Sequence, residues 1–360
     1  MARLGAVLPG LLACAAVAAV ARLVGTSLQL GLETAIALAI GLAIGSVASL
    51  RAALLAGAAP AARLALRVGI ILLGARLTLS QLIETGGVSV LAIIVVVSVA
   101  LLLGTALARR LGVAAPLSAL ITVGMAICGN SAILALSPIL RAPHRETAYA
   151  ISTITLFGLV AVLLLPVLGA AFGLSDATFG TWAGLAVNDT AQVVATGYAF
   201  SPPAGDVATV VKLTRNLAIL PVLLGATWLA VRAAAAEGGD DEGGAPANGS
   251  PLRLLARAVP WFVIGFVVFA GLRSAGLLDG AVPTGGTLAD LCSAVATLLI
   301  LVALAGVGIS TDVRAMLGVG SRPFILGASM WIVIGVVGLI LAMVVAGGTR
   351  APVAAVYHAG

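Results

Sequence analysis

Charge is scarce in this chain. Only 9% of its 360 residues are charged, 61% are hydrophobic, and the mean hydropathy is +1.22. Soluble domains carry about 25% charged residues, so the composition excludes a string of soluble domains and indicates one polytopic membrane unit over residues 1–360. Lysine is almost missing: of 19 basic residues, Lys212 is the one that is not arginine. Histidine is limited to His144 and His358, in a loop and in the tail, which gives no catalytic signal. The three cysteines, Cys14, Cys128 and Cys292, lie far apart in apolar stretches, without metal-ligand spacing and without an evident disulfide pair. A Walker sequence, a nucleophile elbow and a dinucleotide fingerprint are all lacking. An enzyme, an ATP-driven mechanism, a metal and a cofactor are therefore not expected. The formal charge of +6 does not point to nucleic acid, because the arginines sit singly between apolar runs and do not cluster on one face.

What the chain has in abundance is long apolar runs. At roughly 20 residues per bilayer crossing, about eleven spans are expected, near 6–24, 32–50, 63–83, 88–109, 113–141, 146–172, 178–202, 206–232, 254–273, 287–309 and 322–346. Arg3 and the run Gly5–Ala21 resemble a signal peptide, but further spans follow at once, so a first transmembrane helix is the better reading. A short interfacial helix is expected to begin within 51–67. Residues 233–253 are acidic, glycine-rich and poor in large apolar side chains, and read as a flexible polar loop. With the N-terminus in the cytoplasm, inner loops collect eleven arginines and outer loops five, which satisfies the positive-inside rule. The loop Arg141–Arg145 runs against it. Leu73–Ser80 and Ala305–Asp312 echo one another, each leaving a span through small and hydroxyl residues, which hints at duplicated halves.

Two short polar runs interrupt spans. One contains Gly129, Asn130 and Ser131, and the other Asn188, Asp189, Thr190 and Gln192. A bilayer supplies no water to broken backbone hydrogen bonds, so such breaks must line a cavity or lie inside protein. Paired interruptions are the usual sign of a secondary transporter's site. A half-helix starting at Asn130 or Ser131 would aim unpartnered N–H groups at an anion. Asp189 is a costly intramembrane carboxylate and a natural N-cap for the next half-helix. Lys212 and Arg215, three residues apart, share a helix face deep in a span. Such cations require a partner or a watered cavity. The expectation is therefore a broken-helix pair that crosses, with Arg215 and the Asn130/Ser131 helix start holding the anion and Asp189 paired with Lys212 as a coupling residue. Arg76, near the end of its span, is a lesser candidate.

Four runs carry a family resemblance: Leu73–Ser80, Gly124–Ala132, Trp182–Val194 and Val211–Asn216. In that order they resemble the sulfate exporter family of bacterial inner-membrane proteins, the YeiH-like group, over about residues 5–346. The chain is also similar to the bile-acid/sodium symporter and sodium/proton antiporter architecture. The resemblance implies an all-α, inverted-repeat transporter in the bacterial cell membrane that exports a small oxyanion such as sulfate or a sulfonate. The alternatives are a sodium- or proton-coupled uptake carrier for an organic anion and a membrane sensor or scaffold without transport. Expected partners are the anion, the bilayer, a coupling sodium ion or proton, and a second copy of the chain. That family often has histidine where this chain has Asn188. Asparagine does not titrate, so proton coupling would fall to Asp189.

Overall fold

A computed structural model describes residues 2–28, 33–236, 261–282, 285–311 and 321–348. Its helices are α1 (Ala2–Leu28), α2 (Glu33–Ser46), α3 (Ala48–Leu73), α4 (Leu79–Leu111), α5 (Ala115–Ala126), α6 (Asn130–Leu136), α7 (His144–Ala171), α8 (Asp176–Ala186), α9 (Thr190–Phe200), α10 (Pro202–Asn216), α11 (Ile219–Ala236), α12 (Trp261–Ser274), α13 (Leu288–Ser310) and α14 (Ser321–Gly348). A 3₁₀ turn, Gly74–Arg76, follows α3. Among the described residues no strand forms beyond an isolated bridge between Ala281 and Thr287. The protein is an all-α, polytopic membrane protein. Seven segments, α10 and α11 together counting as one, are long and apolar enough to cross a bilayer, and α2, α5 and α12 are shorter apolar helices. Leu64, Leu91, Leu102 and Val167, each more than 60% exposed, turn outward toward what a bilayer would supply as solvent.

Helix ends are set by local chemistry. Thr78 and Gln81 form a capping box at the start of α4, and Thr287 and Asp290 form another at α13. The Ser175 hydroxyl accepts from Thr178 N–H at α8, and Ser201 accepts from Ala204 N–H at α10. Because Pro202 and Pro203 suit the first helical turn, α10 starts at Pro202, ahead of the residue-206 start expected from hydropathy. The interfacial helix expected within 51–67 is absorbed into α3, a continuous helix with Pro60 inside it. The polar loop expected at 233–253 is helical to Ala236, and its remainder lies outside the described residues. The first part of the span expected at 254–273 lies outside them too.

The helices form two packed bodies. The first holds α1, α2, α3, α12 and α13, with α13 laid along α3 and α2. Its core includes Cys14, Val17, Ala58, Ala61, Ala305 and Ile309. The two similar stretches seen in sequence begin on the last turns of α3 and α13; these helices pack antiparallel, so the stretches lie at opposite ends, Arg76 against Ser293 and Gly306 against Ala58. The second body holds α4 to α11 and α14, with α10 packed on α8 and α9, and α14 on α4 and α8. The bodies meet where α9 packs on α2 and α13 and where α12 packs on α4. An apolar layer with Leu38, Ile70 and Leu301 on one side and Val194, Val210 and Leu213 on the other fills the seam. Both helix interruptions belong to the second body, and α9 carries one of them to this seam.

Candidate functional site: two crossed helix breaks

Each break is a short stretch of non-helical backbone between two half-helices. The first separates α5 from α6 at Ile127, Cys128 and Gly129, and Gly129 adopts φ 64°, ψ −125°. That conformation has a positive φ that side chains with a Cβ resist. The second separates α8 from α9, and Val187 and Asp189 are extended there. Asp189 caps α9 by accepting the Ala191 N–H at Oδ1 (2.9 Å). The breaks touch: a Cβ on Gly129 would stand 3.2 Å from both the Cα and the N of Asp189. The broken, crossing pair expected from sequence is thus formed by these two runs.

Two half-helix C-termini, of α5 and α8, end at the crossing. The last carbonyls of a helix lack internal partners and carry partial negative charge. Lys212 and Arg215, both on α10 and both fully buried, supply the missing donors. Lys212 Nζ donates to Ile127 O (2.8 Å) and Val187 O (3.0 Å). Arg215 Nε donates to Ala126 O (3.0 Å), Nη2 to Met125 O (2.7 Å), and Nη1 to Leu185 O (2.7 Å) and Val187 O (3.2 Å). One helix face thereby clamps both broken helices. A buried cation is costly unless paired and hydrogen-bonded, and here two helix-end dipoles offset that cost.

The opposite side of the crossing is polar and partly accessible. There α6 starts at Asn130 with no side-chain cap and α9 starts at Thr190. Ser131 is exposed, and Asn130, Asp189, Thr190 and Thr155 are half-buried. Asn130 Nδ2 lies 3.4 Å from Asp189 Oδ2 and 3.5 Å from Thr155 Oγ1, at the long limit of hydrogen bonding. Asn216 Nδ2 donates to Thr190 Oγ1 (3.4 Å). The oxygens Asn130 Oδ1 and Asn216 Oδ1 are buried without a donor among the described residues.

Sequence reasoning placed nine residues here, and they divide into three roles. Asn130, Asp189 and Thr190 lie half-buried at the crossing, Gly129 is buried against the Asp189 backbone, and Ser131 is exposed in the first turn of α6. Asn188 and Gln192 lie behind it: Asn188 is fully buried with Nδ2 on Met125 Sδ (2.9 Å), and Gln192 Nε2 donates to Thr155 O (3.1 Å). The expected role of Arg215 in holding the anion is corrected, because its donors are taken up by carbonyls and it has no exposure. Asp189 and Lys212 make no direct ion pair, since Lys212 Nζ faces carbonyls and Asp189 faces Asn130 and its own helix start, but the two charges are near enough to act on one another. Carbonyls leave no mark in a sequence, which is why these partners were not foreseen.

Sequence reasoning missed Thr155 and Asn216. Asn216 had a signal, following Arg215 at the buried end of α10. Arg76, the lesser candidate, lies in a second cluster at the seam, whose partners Asp206 and Tyr198 sequence reasoning did not single out. There Arg76 forms an ion pair with Asp206 (Nη1–Oδ1 3.6 Å), and the Tyr198 hydroxyl makes a short hydrogen bond to Asp206.

These features define a multi-pass α-helical membrane protein organised around two crossed, interrupted helices. The chain belongs to the family described as Conserved hypothetical protein 698, which it matches over residues 9–327. It is 33% identical over 279 residues to a UPF0324 membrane protein of Clostridium tetani, covering 77% of this chain and 79% of that one. It is 34% identical over 292 residues to a UPF0324 membrane protein of Streptococcus mutans, covering 79% and 81%. A third such protein, from Geobacter sulfurreducens, is 33% identical over 279 residues, covering 78% and 81%. Those names state a membrane location and no substrate. No solved structure matches the chain.

Proposed function

We propose that this protein is a secondary transporter that exports a small oxyanion, sulfate or a sulfonate, across the bacterial cytoplasmic membrane with its N-terminus inside. One observation carries the reading: the crossing holds two fully buried cations, Lys212 and Arg215, against one carboxylate, Asp189. The cations neutralise the negative ends of α5 and α8. The positive ends of α6 and α9 then face the accessible side, where Asn130, Ser131 and Thr190 offer polar groups. Helix N-termini with a surplus of positive charge favour an anion. Asp189 offers only acceptors when ionised, so it serves coupling and not substrate binding. Residue by residue, the substrate side is Gly129, Asn130, Ser131 and Thr190, with Asn188 and Gln192 holding the breaks from behind.

A second reading has its own support. Asp189 stands beside Asn130, whose Oδ1 is buried and unpartnered among the described residues. Hard cations take oxygen ligands, so sodium coupling, and with it uptake of an organic anion, competes with export. Flux in proteoliposomes over a panel of radiolabelled anions, with and without sodium and a pH gradient, separates the readings. Sulfate or sulfonate movement independent of sodium supports export. Sodium-stimulated uptake of an organic anion favours the second reading, and no flux of any anion from correctly inserted protein rules out both.

A further inference from the structure

A polar cluster at the seam joins the two bodies. Arg76, in the turn after α3, is fastened within its own body: Nε donates to Ser293 Oγ (2.6 Å) and Nη2 to Thr297 Oγ1 (2.8 Å), both on α13. Toward the other body its Nη1 reaches the Tyr198 hydroxyl at 3.4 Å and Asp206 Oδ1 at 3.6 Å. Tyr198 on α9 and Asp206 on α10 are bonded to each other. Inside the bodies the cluster has three short bonds beside one long contact of Nη2 to Ser293 O (3.5 Å), whereas across the seam every polar contact is long and the guanidinium stands 5.6 Å from the centre of the Tyr198 ring. Hydrogen bonds weaken with length, so this cluster parts most easily along the seam.

Parting leaves both halves largely satisfied. Arg76 keeps Ser293 and Thr297, and Asp206 keeps Tyr198. What parting frees is the Nη1 edge of a guanidinium, a group suited to oxyanions. Asp206 occupies that edge now, as an anion supplied by the protein itself. The cluster is also reachable: the Arg76 side chain is 20% exposed and that of Asp206 10%, whereas Lys212 and Arg215 have no exposure. Helix α9 ties it to the crossing, since Thr190 at its start and Tyr198 lie on one rigid element about 12 Å apart at 1.5 Å per residue.

We propose that Arg76 is an oxyanion ligand and that Asp206 is its internal competitor, so that the pair forms an anion-operated gate between the two bodies. The carboxylate holds the guanidinium when the gate is closed, and the transported oxyanion replaces it as the bodies part. The proposal rests on the transporter reading and adds an anion subsite to it.

The test is equilibrium binding of radiolabelled sulfate to the full chain in nanodiscs, comparing wild type with Arg76→Gln, Asp206→Asn, Tyr198→Phe and the Arg76→Gln/Asp206→Asn double variant. A ligand's apparent affinity falls with the fraction of protein able to receive it, so removing the competitor should tighten sulfate roughly threefold or more. Tyr198→Phe, which takes away the partner Asp206 keeps when the bodies part, should weaken sulfate by less than Arg76→Gln does. Arg76→Gln should weaken it about tenfold, and the double variant should lose the gain of Asp206→Asn. Misfolding only weakens binding, so a gain cannot arise from damage. Wild-type binding with Asp206→Asn unchanged or weaker overturns the gate and leaves the transporter reading standing. Wild type that neither binds nor moves sulfate, thiosulfate or methanesulfonate overturns the transporter reading and the gate with it.

Discussion

Gly129 and Asp189 are in direct backbone contact across the two helix breaks, so close that a Cβ on the glycine would lie 3.2 Å from the aspartate Cα. The same glycine holds φ 64°, ψ −125°. Gly129→Ala therefore meets both a strained backbone and a tight neighbour. We expect a loss of about 1–3 kcal/mol, read as a lower unfolding temperature of the purified protein, together with reduced anion flux. A variant as stable and active as wild type would contradict the crossing geometry.

The Lys212 and Arg215 clamp predicts stability effects ahead of binding effects. Hydrogen bonds to charged groups contribute about 1.5–3 kcal/mol each, and Arg215 makes several. Arg215→Gln should unfold readily or fail to accumulate in the membrane. Arg215→Lys should rescue poorly, because one ammonium cannot span carbonyls on α5 and α8 as the guanidinium fork does. Lys212→Met should also lower the unfolding temperature. Normal stability in Arg215→Gln and Lys212→Met with a selective loss of anion binding would instead return these cations to the role of direct ligands.

Asp189→Asn separates capping from coupling. Asparagine caps a helix about as well as aspartate, so the Ala191 N–H keeps an acceptor and stability should change by less than about 1 kcal/mol. Anion binding should persist while the response to an ion gradient disappears. Titrating sulfate binding and gradient-driven flux on one preparation checks both halves.

Gly158 on α7 supports the crossing from outside. A Cβ there would fall 1.7 Å from Gln192 Oε1. Gly158→Ala should displace the Gln192 amide from Thr155 O and destabilise α9 against α7. Gly158→Ala/Gln192→Ala should recover part of the loss, since the two changes share one contact. Thermal unfolding of the singles and the double measures that coupling.

Sequence revealed the parts of the site that are chemically odd for their surroundings. Asn130 and Asp189 stood out because a polar run inside an apolar span has to be explained by a break. Lys212 and Arg215 stood out because charge in a bilayer demands a partner. Their actual partners are carbonyls of Ala126, Ile127, Leu185 and Val187, and a carbonyl is present at every residue, so the pattern names none of them. Asp206 looked like a residue at a span's edge. Its link to Arg76 depends on how two separate bodies meet, and local spacing carries no record of that. Helix starts at Pro202 and the merging of residues 51–67 into α3 were set by proline and by packing, which hydropathy alone does not weigh.

Ser131→Asp tests the central claim most directly. Ser131 is exposed in the first turn of α6, next in sequence to Asn130 at the first break. A carboxylate at a helix start is favourable to the helix, so folding should be preserved, but its charge would occupy the place assigned to the anion. Counterflow of radiolabelled sulfate into proteoliposomes should be clear for wild type and for Ser131→Asn, and abolished for Ser131→Asp at equal insertion and unfolding temperature. Undiminished sulfate counterflow by Ser131→Asp would show that the anion does not pass the crossing, and the account would fail.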